Sequence, residues 1–169
     1  GLGYTLAHRV IPIRPRLPSM KFKPLGRSGV QVSELCFGTM SFGGDADEAT
    51  SAAMYQACRE AGINFFDCAD QYNGGRSEQI LGSLMQGHRD DLVITTKCFN
   101  PMGEDINARG TSRHTVMRAE FLSLQRLKTD HFDLYQMHHL VKPEDVKKAL
   151  GPDGAMETIL KAKQEGKVR

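Results

Sequence analysis

The sequence predicts an α/β fold with a parallel sheet: four successive βα units of the kind that build a (β/α)8 TIM-type barrel, preceded by a short β-hairpin. Three observations predict it. Apolar runs alternate with amphipathic helical stretches, the candidate strands begin near residues 34, 63, 92 and 132, and ionisable side chains end those strands. Alternation at this spacing implies parallel neighbours, because a parallel pair needs a helical crossover. The runs are apolar almost throughout, as in strands covered on both faces.

Residues 22–32, with Gly26 and Gly29 at the bend, read as the hairpin. The first strand is Glu34-Leu-Cys-Phe-Gly-Thr-Met40. A helix over 46–61 follows, with Ala49, Ala53, Met54, Ala57, Cys58 and Ala61 on one face and Gly62 as its stop. The second strand is 63–69. Ser77 is expected to cap a helix whose stripe is Ile80, Leu81, Leu84 and Met85, ending at Gly87. The third strand is 92–97, and Ser112 caps a helix to about Leu127. The fourth strand is 132–138. A last helix follows Pro152-Asp153 and ends near Gly166, leaving Lys167-Val168-Arg169 without a partner.

This pattern alone also fits a small open doubly wound sheet, although no GxGxxG follows the first strand. With 169 residues, 40% apolar and 25% charged, the chain reads as one globular domain over 20–169. Residues 1–19 carry Arg9, Arg14 and Arg16 and no acid. They read as a disordered extension ahead of Met20, with an organelle-targeting segment as the competing reading.

A net charge of +2 from 22 basic and 20 acidic residues argues against a nucleic-acid partner. No run approaches the roughly 20 apolar residues of a membrane helix, so no membrane partner is expected. Cys36, Cys58, Cys68 and Cys98 form no CxxC pair and lie in apolar segments. Buried thiols, no metal site and a reducing, cytoplasmic compartment are therefore expected. His138 and His139 are adjacent in a strand and should point to opposite faces.

Thr39, Asp67, Lys97 and His138 all stand at carboxyl ends of successive strands, the face where barrels build their active sites. An ionisable group there costs desolvation free energy unless paired, and residues at one rim can share partners. Taken singly, each has a bland reading as a salt bridge or a satisfied core histidine. Tyr72 lies five residues past Asp67, ahead of Asn73-Gly74-Gly75. An ammonium beside a phenol favours ionisation, so Tyr72 next to Lys97 could give a proton to a carbonyl oxygen.

Here the chain resembles a known family. Gly62-Ile-Asn-Phe-Phe-Asp67-Cys-Ala-Asp-Gln-Tyr72 with Arg76-Ser77-Glu78 is similar to the aldo-keto reductase signature. Thr95-Thr96-Lys97 and Asp133-Leu-Tyr-Gln-Met-His138 resemble that family's lysine and histidine strands. Leu25-Gly26-Arg27-Ser28-Gly29, Phe37-Gly38-Thr39-Met40 and Ser123-Leu-Gln-Arg-Leu127 follow in family order. The resemblance covers roughly 20–169 and implies a catalytic tetrad of Asp67, Tyr72, Lys97 and His138. Thr39, Met40 and Asp67 would lie near the nicotinamide ribose. It further implies NADPH-dependent reduction of a small-molecule aldehyde or ketone.

The chain departs from the family at His139, where many relatives have Arg or Trp, and over 140–151. It carries four of eight βα units. Phosphate sites in such barrels usually come from loops after the seventh and eighth strands. A fragment or truncated form with weak NADPH/NADP binding is therefore expected, with open strand edges that invite self-association. Two other classes compete: a non-catalytic, cofactor-sensing regulatory barrel, and a Schiff-base lyase using Lys97.

Overall fold

A computed structural model describes residues 19–169, so the extension expected over 1–19 lies, apart from Ser19, outside the described residues. Leu25 donates to the Val30 carbonyl across a bend where Gly26 and Gly29 have φ of +56° and +79°. Glycine, with no Cβ, takes that conformation at no steric cost, so the chain turns there. The hairpin is β1 (Phe22–Pro24) against β2 (Gln31–Ser33).

The remaining strands are β3 (Cys36–Gly38), β4 (Phe65–Asp67), β5 (Val93–Cys98) and β6 (Leu134–Met137). They alternate with α1 (Glu48–Glu60), α2 (Arg76–Leu84) and α3 (Arg113–Leu127), and β6 is followed by α4 (Pro143–Leu150) and α5 (Ala155–Gln164). All four strands are parallel and neighbour one another in chain order. The helices pack in succession, α1 on α2, α2 on α3 and α3 on α5. A doubly wound sheet needs a point where strand order reverses. This sheet has none and adds each strand at the same edge, which is the arrangement of four units of a (β/α)8 barrel.

Strand alternation decides which side chains meet the helices. Phe66 of β4 stacks on Tyr55 of α1 with ring centroids 5.0 Å apart, and Ile94 and Cys98 of β5 are fully buried. Phe65 and Asp67 therefore point to the other, inner face. In the register Asp67 lies opposite Thr95, and Lys97 opposite Gln136. Asp67 and Lys97 thus reach the same face at the carboxyl end of the sheet.

Several expectations need correction. Asp47 caps α1, accepting from the Thr50 N–H, but Ala49, Ala53 and Ala57 are exposed and Ser51, Tyr55 and Cys58 are buried. A tyrosine ring removes far more surface from water than alanine methyls, so the helix turns to bury Tyr55. Ser77 is not a cap: Gly75, left-handed at φ +90°, occupies that position and Ser77 lies buried one residue inside α2. Helix α4 was not expected, yet its signals are present: Pro143 opens it, Glu144 and Asp145 fill its first turn, and Lys147 and Lys148 its last.

Cys58, Cys68 and Cys98 are buried as expected, while Cys36 on the inner face is exposed. Lys167 to Arg169 are not without partners. The Phe132 N–H donates to the Lys167 carbonyl, the Arg169 N–H to the Phe132 carbonyl, and Phe132 and Val168 form a parallel bridge. The segment just ahead of β6 therefore has a neighbour on that side.

Candidate active site

Three backbone features carry the acid–base residues to one place. Asp67 ends β4, Lys97 stands one residue before the end of β5, and a 3-10 turn (Tyr72–Gly75) follows β4. The Tyr72 N–H donates to the Ala69 carbonyl and the Asp70 N–H to the Lys97 carbonyl, tying the turn to β5.

The Lys97 ammonium donates to Asp67 Oδ2 at 2.6 Å, the Cys68 carbonyl at 2.7 Å and the Tyr72 hydroxyl oxygen at 3.2 Å. An ammonium has three N–H donors, and here each has an acceptor. Burial by itself would lower the lysine's proton affinity, but the hydrogen bonds it donates to Asp67 and Tyr72 outweigh it and hold Lys97 above the ordinary lysine range. Lys97 is therefore a charged, fixed donor. Because it donates to the phenol oxygen, the phenolic hydrogen of Tyr72 is left to point elsewhere.

The fourth residue, His138, presents its ring edge-on to Tyr72, with centroids 5.8 Å apart at 85°. Burial, then the charges of Lys97 and His139, hold its imidazole below the usual histidine range, which favours the neutral ring. The expectation that His138 and His139 point to opposite faces fails. β6 stops at Met137 and His139 turns left-handed at φ +59°, so the two rings stand 5.4 Å apart. Strand alternation no longer applies there. Among the described residues, no group of three or more His, Cys, Asp or Glu is arranged to hold a metal ion.

Thr39 and Met40, at the end of β3, differ in character. Thr39 is fully buried, its hydroxyl bonded to the Asp67 carbonyl and to Ser77, whereas Met40 is 68% exposed. Ser77 Oγ in turn donates to the Thr39 carbonyl at 2.7 Å. The loop between β3 and α1 is thus held against the segment that carries Tyr72. Beside Lys97 and His138 opens a cavity of about 600 Å³, walled by His139, Leu140, Val146 and Leu150.

Sequence reasoning found Asp67, Tyr72, Lys97 and His138, and these are adjacent. It gave no role to Asn73, to the Cys68 carbonyl or to a buried network behind the sheet. There Glu78, fully buried, accepts from Arg126 Nε at 2.6 Å and from the Thr96 hydroxyl at 2.5 Å. Asp70 lies close by, 1% exposed, and burial followed by the Glu78 charge pushes its carboxyl up to about 7. A polar residue inside an apolar helix stripe was the available signal for Glu78.

Four βα units that add strands in one direction, with Asp67, Tyr72, Lys97 and His138 gathered at the strand carboxyl ends, have the arrangement of part of a (β/α)8 barrel. Residues 34–169 match the model of the aldo/keto reductase family, and the chain belongs to that family. The chain is 41% identical over 132 residues to an oxidoreductase of Bacillus subtilis (strain 168) named YrpG, covering 72% of this chain and 40% of that protein. It is 42% identical over 123 residues to a protein of Oryza sativa subsp. japonica named as a probable voltage-gated potassium channel β subunit, covering 70% and 37%. Among solved structures, the holo form of aldo-keto reductase AKR11C1 from Bacillus halodurans matches with a TM-score of 0.71 at 35% identity. That match covers 89% of this chain and 48% of the other. The chain spans about half the length or less of these relatives.

Proposed function

We propose that this chain supplies the proton-donating half of a carbonyl-reducing barrel, acting on aldehydes or ketones with NADPH as the reductant. The observation that carries the reading is the set of three hydrogen bonds made by Lys97. A charged lysine donating to the Tyr72 oxygen stabilises negative charge there as the phenolic proton leaves. Asp67 keeps the lysine charged and in position. His138 offers a ring N–H to the substrate's carbonyl oxygen and orients it over Tyr72.

A reduced nicotinamide, when bound, supplies hydride to the carbonyl carbon. Tyr72 gives its proton to the carbonyl oxygen, so carbonyl plus hydride plus proton yields the alcohol. The residues present fit the nicotinamide end: Met40 is exposed beside Asp67's strand, and the cavity at Lys97 and His138 is open to solvent. Thr39, being buried, supports this end by holding the Asp67 carbonyl. The apolar wall of Leu140, Val146 and Leu150 suits the apolar part of a small carbonyl substrate.

In the complete barrel, Tyr72→Phe should abolish aldehyde-dependent NADPH oxidation while leaving NADPH binding intact. Binding is read from the fluorescence of NADPH itself. Near-normal turnover by the variant would remove Tyr72 from the reaction. Residues 1–169 alone should bind NADPH weakly, because phosphate loops of such barrels come from later strands.

A second reading, a cofactor-sensing regulatory barrel, is favoured by the 42% identity to the rice protein named for a channel subunit. Absence of turnover across an aldehyde panel, with NADPH still bound, would favour it. Schiff-base chemistry needs a neutral lysine amine, and the partners of Lys97 work against one.

A further inference from the structure

Two loops meet beside Tyr72, and one side chain joins them. Asn73 donates from Nδ2 to the Met40 carbonyl at 2.8 Å and to the Phe42 carbonyl at 2.9 Å. Both amide hydrogens are thus spent on the loop after β3. Asn73 itself sits left-handed at φ +51°, a conformation asparagine tolerates better than most residues.

The other side of the contact is cut to fit. A Cβ on Gly44 would stand 2.5 Å from Asn73 Oδ1, and its three nearest atoms would all belong to the Asn73 side chain. A Cβ on Gly43 would stand 2.2 Å from Cγ of Arg76. The two glycines therefore let the loop approach the segment from Asn73 to Arg76 closely enough for the amide to reach two carbonyls.

We propose that Asn73 is a positioning residue: its amide clasps the Met40–Phe42 backbone and so sets where the turn bearing Met40 stands relative to the Tyr72 hydroxyl. The inference rests on the reading of Tyr72 as proton donor and Met40 as a neighbour of the nicotinamide. Its physical basis is separate. Asn73 is covalently next to Tyr72, so a clasp at residue 73 fixes both the loop and the backbone from which the phenol extends. Without it, the exposed Met40 carbonyl and the part-buried Phe42 carbonyl lose this donor, and the loop keeps its ties at either end, Thr39 to Asp67 and Ser77, and Ala46 to Ser51, with Phe42 in the core.

The test is a double-mutant cycle on the full chain using Asn73→Gly and Gly44→Ala. Asn73→Gly keeps the left-handed backbone and removes the clasp. Gly44→Ala keeps the amide but pushes it off its acceptors. Each single variant should speed hydrogen exchange at the amides of Phe42, Gly43, Gly44 and Ala46 by about tenfold relative to the amides of β5. In the Asn73→Gly background, Gly44→Ala should add nothing, because the atoms it strikes are gone. Asn73→Asp, which keeps the shape but faces two carbonyls with a carboxylate, should resemble Asn73→Gly.

The spectroscopic signature is the 13Cζ resonance of labelled Tyr72. It should move in each single variant, and the double variant should match Asn73→Gly alone. Equal effects of Gly44→Ala in both backgrounds, or unchanged exchange at the four loop amides, would overturn the clasp. NADPH titration of the same substitutions placed in the complete barrel addresses the other reading: a clasp that passes the cycle while wild-type and variant barrels bind NADPH alike would leave Asn73 without a role in the cofactor site and overturn the proposal as stated. A wild-type complete barrel without aldehyde turnover would instead count against Tyr72 as donor, with the exchange results unaffected.

Discussion

Lys97 Nζ lies 3.2 Å from the Tyr72 hydroxyl, although 25 residues separate them in the chain. The same ammonium stands 4.9 Å from the centroid of the Tyr72 ring. The lysine therefore touches the phenol through its oxygen while its remaining two N–H groups are held by Asp67 and the Cys68 carbonyl.

Lys97→Met in the complete barrel should lower turnover by about a hundredfold or more, the scale of a lost acid–base partner. Asp67 and the Cys68 carbonyl would be left without their donor. Steady-state kinetics on an aldehyde check this, and a variant within a few-fold of the native rate would contradict the role given to Lys97.

The pair of Glu78 and Arg126 should behave as a buried ion pair. Arg126→Met leaves a fully buried carboxylate with only the Thr96 hydroxyl. The expected cost is about 3–5 kcal/mol, read by urea denaturation, whereas replacing both partners with apolar residues should recover much of it. Equal losses in the single and double variants would show that the charge is not the cause.

Asp70 should make stability fall as pH rises. Its folded carboxyl is raised to about 7 from an ordinary value of 3.8, so the folded state binds the proton more tightly than the unfolded chain. That favourable difference is fully present below the unfolded value and is lost as pH rises through about 7. Asp70→Asn removes the buried charge and should raise Tm at pH 8 by more than at pH 4. A pH-independent gain or loss would mean that the carboxyl does not titrate there.

Gly82→Ala should loosen the packing of α2 on α3. An added Cβ would meet the Arg126 carbonyl oxygen at 2.5 Å and Leu127 backbone carbons at 2.6 Å, and backbone cannot swing aside as a side chain can. The expected destabilisation is about 1–3 kcal/mol. Calorimetry reads it, and an unchanged Tm would mean that the two helices can separate at little cost.

Much of the fold was legible because periodicity and punctuation are local properties. The Ser112 cap of α3 and the strand that ends at Lys97 with Cys98 follow from short stretches of sequence. The missed features depend on competition between distant groups. Tyr55 outweighs the alanine stripe of α1 because Phe66 packs against its ring and His88 bonds its hydroxyl. Ser77 is drawn into α2 because the Thr39 carbonyl and the Cys68 thiol lie within its reach.

The sequence by itself determined which chemical groups could act: an aspartate, a tyrosine, a lysine and a histidine at strand ends, in an order similar to one family. Only the tertiary structure decided how they meet. Parallel register puts Asp67 opposite Thr95 and so Lys97 two residues further along the same face. The choice of barrel over open sheet, the direction of the Lys97–Tyr72 hydrogen bond and the reach of Asn73 to Met40 all depend on contacts between residues far apart in the chain. Spacing along a sequence specifies faces of a strand or helix; distances between strands and loops arise only when they pack.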